Sequence, residues 1–333
     1  MAQIWITGTR GFIGRHLAAW LSHQGHTVVG IGHGLWTPAE AQAWGVRLWL
    51  NGGIHAGSLQ QLLRESGSPD YIFHLAGGSS VGASIANPDE DFSRTVATTA
   101  ELLEWMRLAA RHTRLISVSS AAVYGAGHTG PIREEQALRP FSPYGYHKVM
   151  MEKLCLSYAA NYGLAIMVAR LFSVYGSWLK KQVLWDVCSS LASGARQLVL
   201  GGTGEELRDW TEVRDVVRAL EFAMGLASGP DATAVFNVGS GEATSVGRIA
   251  SIVLESWPAP AQIVFNGKAR PGNPCSLVAD GWFLQKKGFF WNVPVTSGVG
   301  DYVRWYLQSQ GVMFDPSGVH LDQRRQLDGH GRL

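Results

Sequence analysis

The stretch QIWITGTRGFIGRHLAAWLSHQG, residues 3–25, decides how this chain folds. Gln3–Thr7, apolar and β-branched, reads as a buried strand. From Phe12 onward the apolar residues Ile13, Leu17, Trp20 and Leu21 recur at helical spacing, and Gly25 suits a helix C-terminus. Between strand and helix lies TGTRGFIG, which places Gly8, Gly11 and Gly14 in the connecting turn. Glycines there permit a tight turn, close approach of backbone to a pyrophosphate, and close packing of helix on strand. The helix N-terminus adds amide donors and the positive end of its dipole. The spacing is GxxGxxG rather than GxGxxG, so the strand before it and the helix after it carry the argument. The candidate cofactor contacts in this segment are Gly8, Arg10, Gly11, Phe12, Ile13 and Gly14.

Outward from this unit, short β-branched runs alternate with amphipathic stretches. TVVGI (27–31), VRLWL (46–50), YIFHLA (71–76), RLISVS (114–119) and LAIMVAR (164–170) read as further strands. The longest helical stretches span 88–110 and 145–162. Such alternation predicts an α/β fold, a Rossmann-like doubly wound parallel sheet with helices on both faces. After Gly176 the rhythm loosens and Gly/Pro punctuation thickens. Residues 1–176 are therefore read as a dinucleotide-binding domain, with 212–240, including VFNVGS, returning to it. Residues 177–211 and 241–312 are read as a smaller substrate-binding region, and 313–333 as a flexible polar tail.

Composition excludes several function classes. In 333 residues, 28 basic and 26 acidic side chains are interspersed and no basic block stands out, which argues against nucleic acid and anionic membrane as partners. No apolar run reaches membrane-spanning length, and the N-terminus enters a strand without a charged leader, so the chain is read as cytoplasmic. Cys155, Cys188 and Cys275 lie far apart and are read as reduced thiols. No metal-ligand spacing occurs, so no metal is expected.

Dinucleotide sites that select NAD usually place a carboxylate at the end of the second strand, on the ribose hydroxyls. Here that strand ends Ile31-Gly32-His33-Gly34. Arg10 and His33 would instead face a 2′-phosphate, which tilts the reading toward NADP or toward no strong preference between NAD and NADP. A second signal is Tyr144-Gly145-Tyr146-His147-Lys148, a tyrosine and a lysine four apart on one helical face. A nearby ammonium would lower the phenol pKa toward working pH and make it a general acid/base. Leu75 and Ala76 end the fourth strand beside the expected cofactor. Ser79, Ser80 and Val81 follow at its carboxyl end, where ligands bind in open α/β sheets. His74, within the strand, reads as a satisfied core histidine.

Taken together, WITGTRGFIG, DYIFHLAGGSSVGAS, SVSSAAVYG, PYGYHK, ARLFSVYG, RDWTEVRDVV and ARPGNPCSLVAD resemble the extended short-chain dehydrogenase/reductases, in their nucleotide-sugar epimerase/dehydratase branch. In that order the motifs cover about residues 3–310. The resemblance implies a catalytic set of Ser120, Tyr144 and Lys148. Ser120 would bond the reacting oxygen, Tyr144 would move its proton, and Lys148 would bind the nicotinamide ribose. Ser119 is then the end of a strand. Dehydratases of the family carry an Asp-Glu pair directly after the catalytic hydroxyl residue, where this chain has Ala121 and Ala122. Methyl groups do no acid/base work, which disfavours 4,6-dehydration and weighs mildly against decarboxylation.

Chemistry needing only hydride transfer and one acid/base remains. A nucleotide-sugar 4-epimerase is the first reading, an NAD(P)H-dependent 4-keto-sugar reductase the second, and a nucleotide-binding protein without turnover the third. The resemblance further implies a nucleotide-diphosphate-sugar substrate held by Arg208, Arg270 and Ser173, a homodimer formed through helices 88–110 and 145–162, and a place in polysaccharide or other glycoconjugate synthesis. Those helices would serve equally well facing their own sheet. Three departures from the family pattern bear on substrate: Thr95 and Ser173 stand where asparagines are usual, and Asn273 stands where an aspartate is usual. Of the 13 tryptophans, Trp178, Trp185 and Trp210 fall near the expected pocket and the others are read as core.

Overall fold

The computed structural model describes residues 1–229, 233–268 and 274–311. Arg270, Asn273 and the 313–333 tail therefore lie outside the described residues. Seven strands form one all-parallel sheet: β1 (Gln3–Thr7), β2 (Thr27–Gly32), β3 (Val46–Asn51), β4 (Tyr71–His74), β5 (Arg114–Ser120), β6 (Ile166–Leu171) and, after an excursion, β10 (Ala234–Val238). Their spatial order is β10-β6-β5-β4-β1-β2-β3. The chain leaves β1 toward β2 and β3, then returns to the other side of β1 as β4. This reversal opens a crevice beyond the carboxyl ends of β1 and β4, where ligands of doubly wound sheets bind.

Helices cover both faces because the strands are apolar on both. On one face, Leu17, Ala18 and Leu21 of α1 (Phe12–His23) and the apolar stripe of α9 (Val213–Leu226) pack on Ile4, Ile6, Phe73 and Met167. On the other, α3 (Ala56–Ser66), α6 (Thr98–Ala109) and α7 (Pro143–Tyr162) bury Leu59, Leu62, Leu102, Met106 and Cys155 against Trp5, Ile72 and Ile166. The short α2 (Pro38–Ala43), α4 (Val81–Ala86) and α5 (Pro88–Phe92) lie in loops of this unit. The helix expected over 88–110 is interrupted: between α5 and α6, Ser93–Ala97 form a π turn. Within it the Thr95 hydroxyl accepts from Gly78 N at 2.8 Å, and the Thr99 hydroxyl donates to the Thr95 carbonyl at 2.6 Å. Two threonine hydroxyls, Thr95 bonding a neighbouring loop and Thr99 of α6 bonding a carbonyl of the turn, give a local reason for the widened turn.

A smaller region stands on the crevice side. There β9 (Leu207–Glu212) pairs with β7 (Ser173–Tyr175), β11 (Ala243–Ser245) and β13 (Ser276–Leu277), and β8 (Gln197–Leu200) runs parallel to β12 (Gln262–Phe265). α8 (Gln182–Ala192), α10 (Val246–Ser256) and α12 (Val295–Ser309) share one core around Leu184, Ile252 and Tyr302, while α11 (Trp282–Lys286) packs beside β10. No described helix is long and apolar enough to cross a membrane. Cys155 and Cys188 are buried and Cys275 is exposed, all three as free thiols.

Candidate active site

The glycine turn meets the demands of a dinucleotide. Gly8 has φ +72°, and a Cβ there would lie 2.9 Å from Ala76 N. A Cβ on Gly14 would sit 2.4 Å from the Gly8 carbonyl oxygen, so the turn closes this tightly only with glycine at both positions. Gly11 precedes α1 without any side-chain cap, which leaves the first amides of the helix for an external acceptor. Beside it Leu75 N donates to Thr7 O and Ala76 N to the Thr7 hydroxyl, each at 3.2 Å, continuing β4 along β1. Phe12 and Ile13 open α1. At the end of β2 the Arg10 guanidinium packs on Gly34, whose imagined Cβ would be 2.5 Å from its nitrogen, and the Asn51 side chain accepts from Gly34 N at 3.1 Å. His33 is exposed beside them. These residues fit a nicotinamide dinucleotide.

Helix α7 brings the reacting groups to the end of β5. Ser142 caps it, accepting from Gly145 N at 3.3 Å, and Pro143 fills the first turn. Gly145 lets the helix run against the turn Ala121–Val123: a Cβ there would be 2.7 Å from the Ala122 carbonyl oxygen. The backbone amide of Tyr144 is also tied to Ser84 Oγ of α4 at 3.0 Å. So pinned, Tyr144 lies near enough to the Ser120 hydroxyl to feel it, and the Lys148 ammonium lies 5.9 Å from its ring centre. Ser120, Tyr144 and Lys148 thus converge. Ser119 points the other way, donating to Glu152 at 2.5 Å.

Burial, not the lysine, sets the protonation behaviour of this group. Lys148 is 4% exposed and donates to the Val118 carbonyl at 2.9 Å. Desolvation pulls its pKa down to about 8, although Asp91 and Glu152 work in the opposite direction. The Tyr144 phenol is raised by burial, with the Ser120 hydrogen bond lowering it and Asp91 adding to the rise. This corrects the expectation that a lysine four residues on would depress the phenol. The ammonium is engaged with a backbone carbonyl, and desolvation is the larger effect.

Buried polar contacts that no spacing reveals hold α7 in place. Glu152 takes two bonds from Arg170, at 2.9 and 2.7 Å, and Arg170 also donates to the Tyr124 hydroxyl at 2.8 Å. Tyr124 in turn donates to Asn237 of β10 at 2.6 Å. His147, between Tyr144 and Lys148, pairs its Nδ1 with Asp91 Oδ2 at 2.6 Å, joining α7 to α5. His74 is fully buried between the Thr7 and Thr99 hydroxyls, at 2.8 and 3.0 Å, and its pKa falls to about 3, chiefly through burial.

The expected substrate contacts fall on separate elements. Ser80 caps α4, accepting from Ala83 N at 3.3 Å; Val81 begins that helix, and Ser79 precedes both. Ser173 opens β7 opposite Trp210. Arg208 is half-buried on β9 and donates to its neighbour's carbonyl at 2.7 Å. Asp209 beside it is structural: its carboxylate takes Ser240 N at 2.9 Å and Gly241 N at 2.8 Å. Trp210 is buried and donates to Thr244 O at 3.2 Å, so it offers no stacking face; Trp178 is 42% exposed, while Trp185 packs on Tyr306. Among the described residues no cluster of His, Cys, Asp or Glu could hold a metal ion.

The model of the NAD dependent epimerase/dehydratase family matches residues 4–239. The chain belongs to that family. A UDP-glucose 4-epimerase of Corynebacterium glutamicum is 30% identical to it, with 83% of this chain and 87% of that one covered. A dTDP-glucose 4,6-dehydratase of Actinoplanes sp. is 28% identical, over 91% of this chain and 97% of the other. Among solved structures, MoeE5 in complex with UDP-glucuronic acid and NAD shares 30% identity at a TM-score of 0.80, covering 92% of this chain and 99% of that one. Overall identity does not separate epimerases from dehydratases here, so the residues after Ser120 must.

Proposed function

We propose that this family member is a nucleotide-sugar 4-epimerase, working by transient oxidation at C4 with a bound nicotinamide dinucleotide and acting in the cytoplasm. The observation that carries the reading is the convergence of Ser120, Tyr144 and Lys148 where the next two side chains, Ala121 and Ala122, cannot ionise. One proton carrier suffices for 4-epimerisation and not for 4,6-dehydration. A bound dinucleotide would supply the hydride acceptor and donor. Ser120 bonds the 4-oxygen of the sugar, and Tyr144 removes its proton as the ketone forms. Lys148, buried beside Tyr144, would orient the ribose. The 4-keto sugar turns over in the pocket, hydride would return to the opposite face of C4, and Tyr144 returns the proton to the 4-oxygen. Arg208 and Ser173, with Ser79, Ser80 and Val81, line the path of the substrate.

The test is proton NMR of UDP-glucose and UDP-glucuronic acid incubated with the protein and no added cofactor. Interconversion with the galacto epimers is the expected result; no turnover of any nucleotide sugar would end the reading. A 4-keto-sugar reductase is the second reading, favoured by the end of β2, where Gly32 and His33 replace a carboxylate. Mass spectrometry of dinucleotide released by denaturation separates the two. Near-stoichiometric NAD marks an epimerase that recycles its hydride, and an empty or NADP-bearing protein marks a reductase.

The neighbouring structures carry NAD. Arg10 against Gly34 supports acceptance of a 2′-phosphate as well. Arg10→Ala is expected to weaken NADPH binding about tenfold, as for loss of one charged hydrogen bond, while NADH affinity stays within twofold. Equal losses for both, by fluorescence titration, would remove Arg10 from the ribose site. We also read the protein as a homodimer, since α7 leaves Tyr146 and Met150 and α5 leaves Phe92 exposed on one side. Light scattering tests this directly.

A further inference from the structure

We propose that Lys181 is a phosphate-binding cation, carried on a strained strap across the nucleotide crevice, that pairs with the pyrophosphate oxygens of a bound nucleotide. The inference rests on the reading of the site as a dinucleotide and nucleotide-sugar site, and extends it to a residue no motif pointed to.

The strap is the segment between β7 and α8. Trp178 within it, at φ +73°, and Gln182 where α8 takes over, at φ +69°, lie in the left-handed region, which side chains with a Cβ rarely adopt. Such strain persists only where surrounding contacts impose it, and it clusters at ligand clamps. Here the contacts come from two sides. From α1, the His16 ring bonds the Ser177 carbonyl at 2.9 Å, and the Arg15 guanidinium lies 4.9 Å from the Trp178 ring centre. From α12, the Tyr302 hydroxyl donates to the Leu179 carbonyl at 2.7 Å. The strap is thereby fixed to the helix that begins at the glycine turn.

At its far end Lys181 reaches the loop after β4, donating to the Ser79 carbonyl at 2.8 Å. β1 and β4 are neighbours, so the strap and this lysine bridge the carboxyl ends of the two strands that frame the crevice. Arg170, Arg214 and Arg218 are matched to carboxylates, on Glu152, Glu212 and Asp215, whereas Lys148 donates to a backbone carbonyl as Lys181 does. Lys181 is half-buried and its partner is a neutral carbonyl. An ammonium has three donors, so two remain for an acceptor in the crevice. Desolvation lowers its pKa, and a bound anion would reverse that shift. Adjacent Lys180 is exposed and lies 5.9 Å from the Trp178 and Trp185 rings, which makes it the natural control.

A diphosphate ester could belong to the dinucleotide or to the nucleotide sugar, and two probes separate them. The full chain, freed of carried-over nucleotide, is titrated with NADH by fluorescence and with UDP by calorimetry. Lys181→Met is expected to weaken one or both by about tenfold, as for loss of a charged hydrogen bond, with Lys181→Arg recovering most of it and Lys180→Met within twofold of wild type. Loss confined to NADH assigns the cofactor pyrophosphate, and loss confined to UDP assigns the substrate diphosphate. Lys181→Gln, with an unchanged melting temperature, guards against a folding artefact. If both affinities stay within twofold for Lys181→Met and Lys181→Gln, the proposal is wrong while the dinucleotide reading stands. If wild type binds neither probe, the functional reading fails and this proposal falls with it.

Discussion

Tyr144→Phe is expected to reduce kcat by about three to four orders of magnitude while leaving dinucleotide and nucleotide-sugar affinities within a few-fold. A positioned acid/base contributes roughly a hundred- to ten-thousandfold, and the upper end applies where no second group can substitute. None can here. Ala121 and Ala122 cannot ionise, the Lys148 ammonium is committed to the Val118 carbonyl, and His147 Nδ1 is held by Asp91. The helix cap and the Gly145 contact that place the ring do not involve the phenol oxygen, so its removal leaves them unchanged. Turnover measured by NMR beside binding measured by calorimetry separates chemistry from occupancy. A variant retaining a tenth of wild-type turnover would mean that another residue moves the proton.

What the chain made legible before folding was local. The glycine turn and the tyrosine and lysine four apart each lie within one short stretch, so spacing made them visible, whereas Ser120 came from the family resemblance. The alternation of apolar runs likewise gave the parallel sheet. Groups that meet across the fold carried no such signal. Lys181 and Ser79 are 102 residues apart, and Tyr124 and Asn237 are 113 apart. His147 lies between Tyr144 and Lys148, and nothing in that stretch pointed to Asp91 on α5 as its partner. Thr95 was visible as a departure, but only the π turn explains how its hydroxyl is used, on Gly78 N. The phenol's pKa was misjudged for a related reason. Sequence shows which charge is near, whereas desolvation depends on everything packed around the group.

Lys148→Met should also remove most turnover, about a hundredfold, because it deletes the ammonium that would orient the nicotinamide ribose. Its effect on stability runs the opposite way. The ammonium is 4% exposed, with its pKa pulled from 10.5 to about 8, so the folded state bears a desolvation penalty that the unfolded chain does not. That difference corresponds to about 3 kcal/mol at most, since each pH unit is worth about 1.4. Loss of the bond to the Val118 carbonyl returns about 1 kcal/mol. Below pH 8 the lysine is protonated in both states, and the wild type carries the whole penalty. Between 8 and 10.5 the folded chain releases the proton while the unfolded chain keeps it, so wild-type stability gains on the variant as pH rises. The methionine variant should therefore melt a few degrees higher than wild type at pH 7, with the gap closing by pH 10. Parallel melting curves at the two pH values test this. A variant that melts lower at pH 7 would mean that Lys148 holds the fold together rather than burdening it for the sake of the reaction.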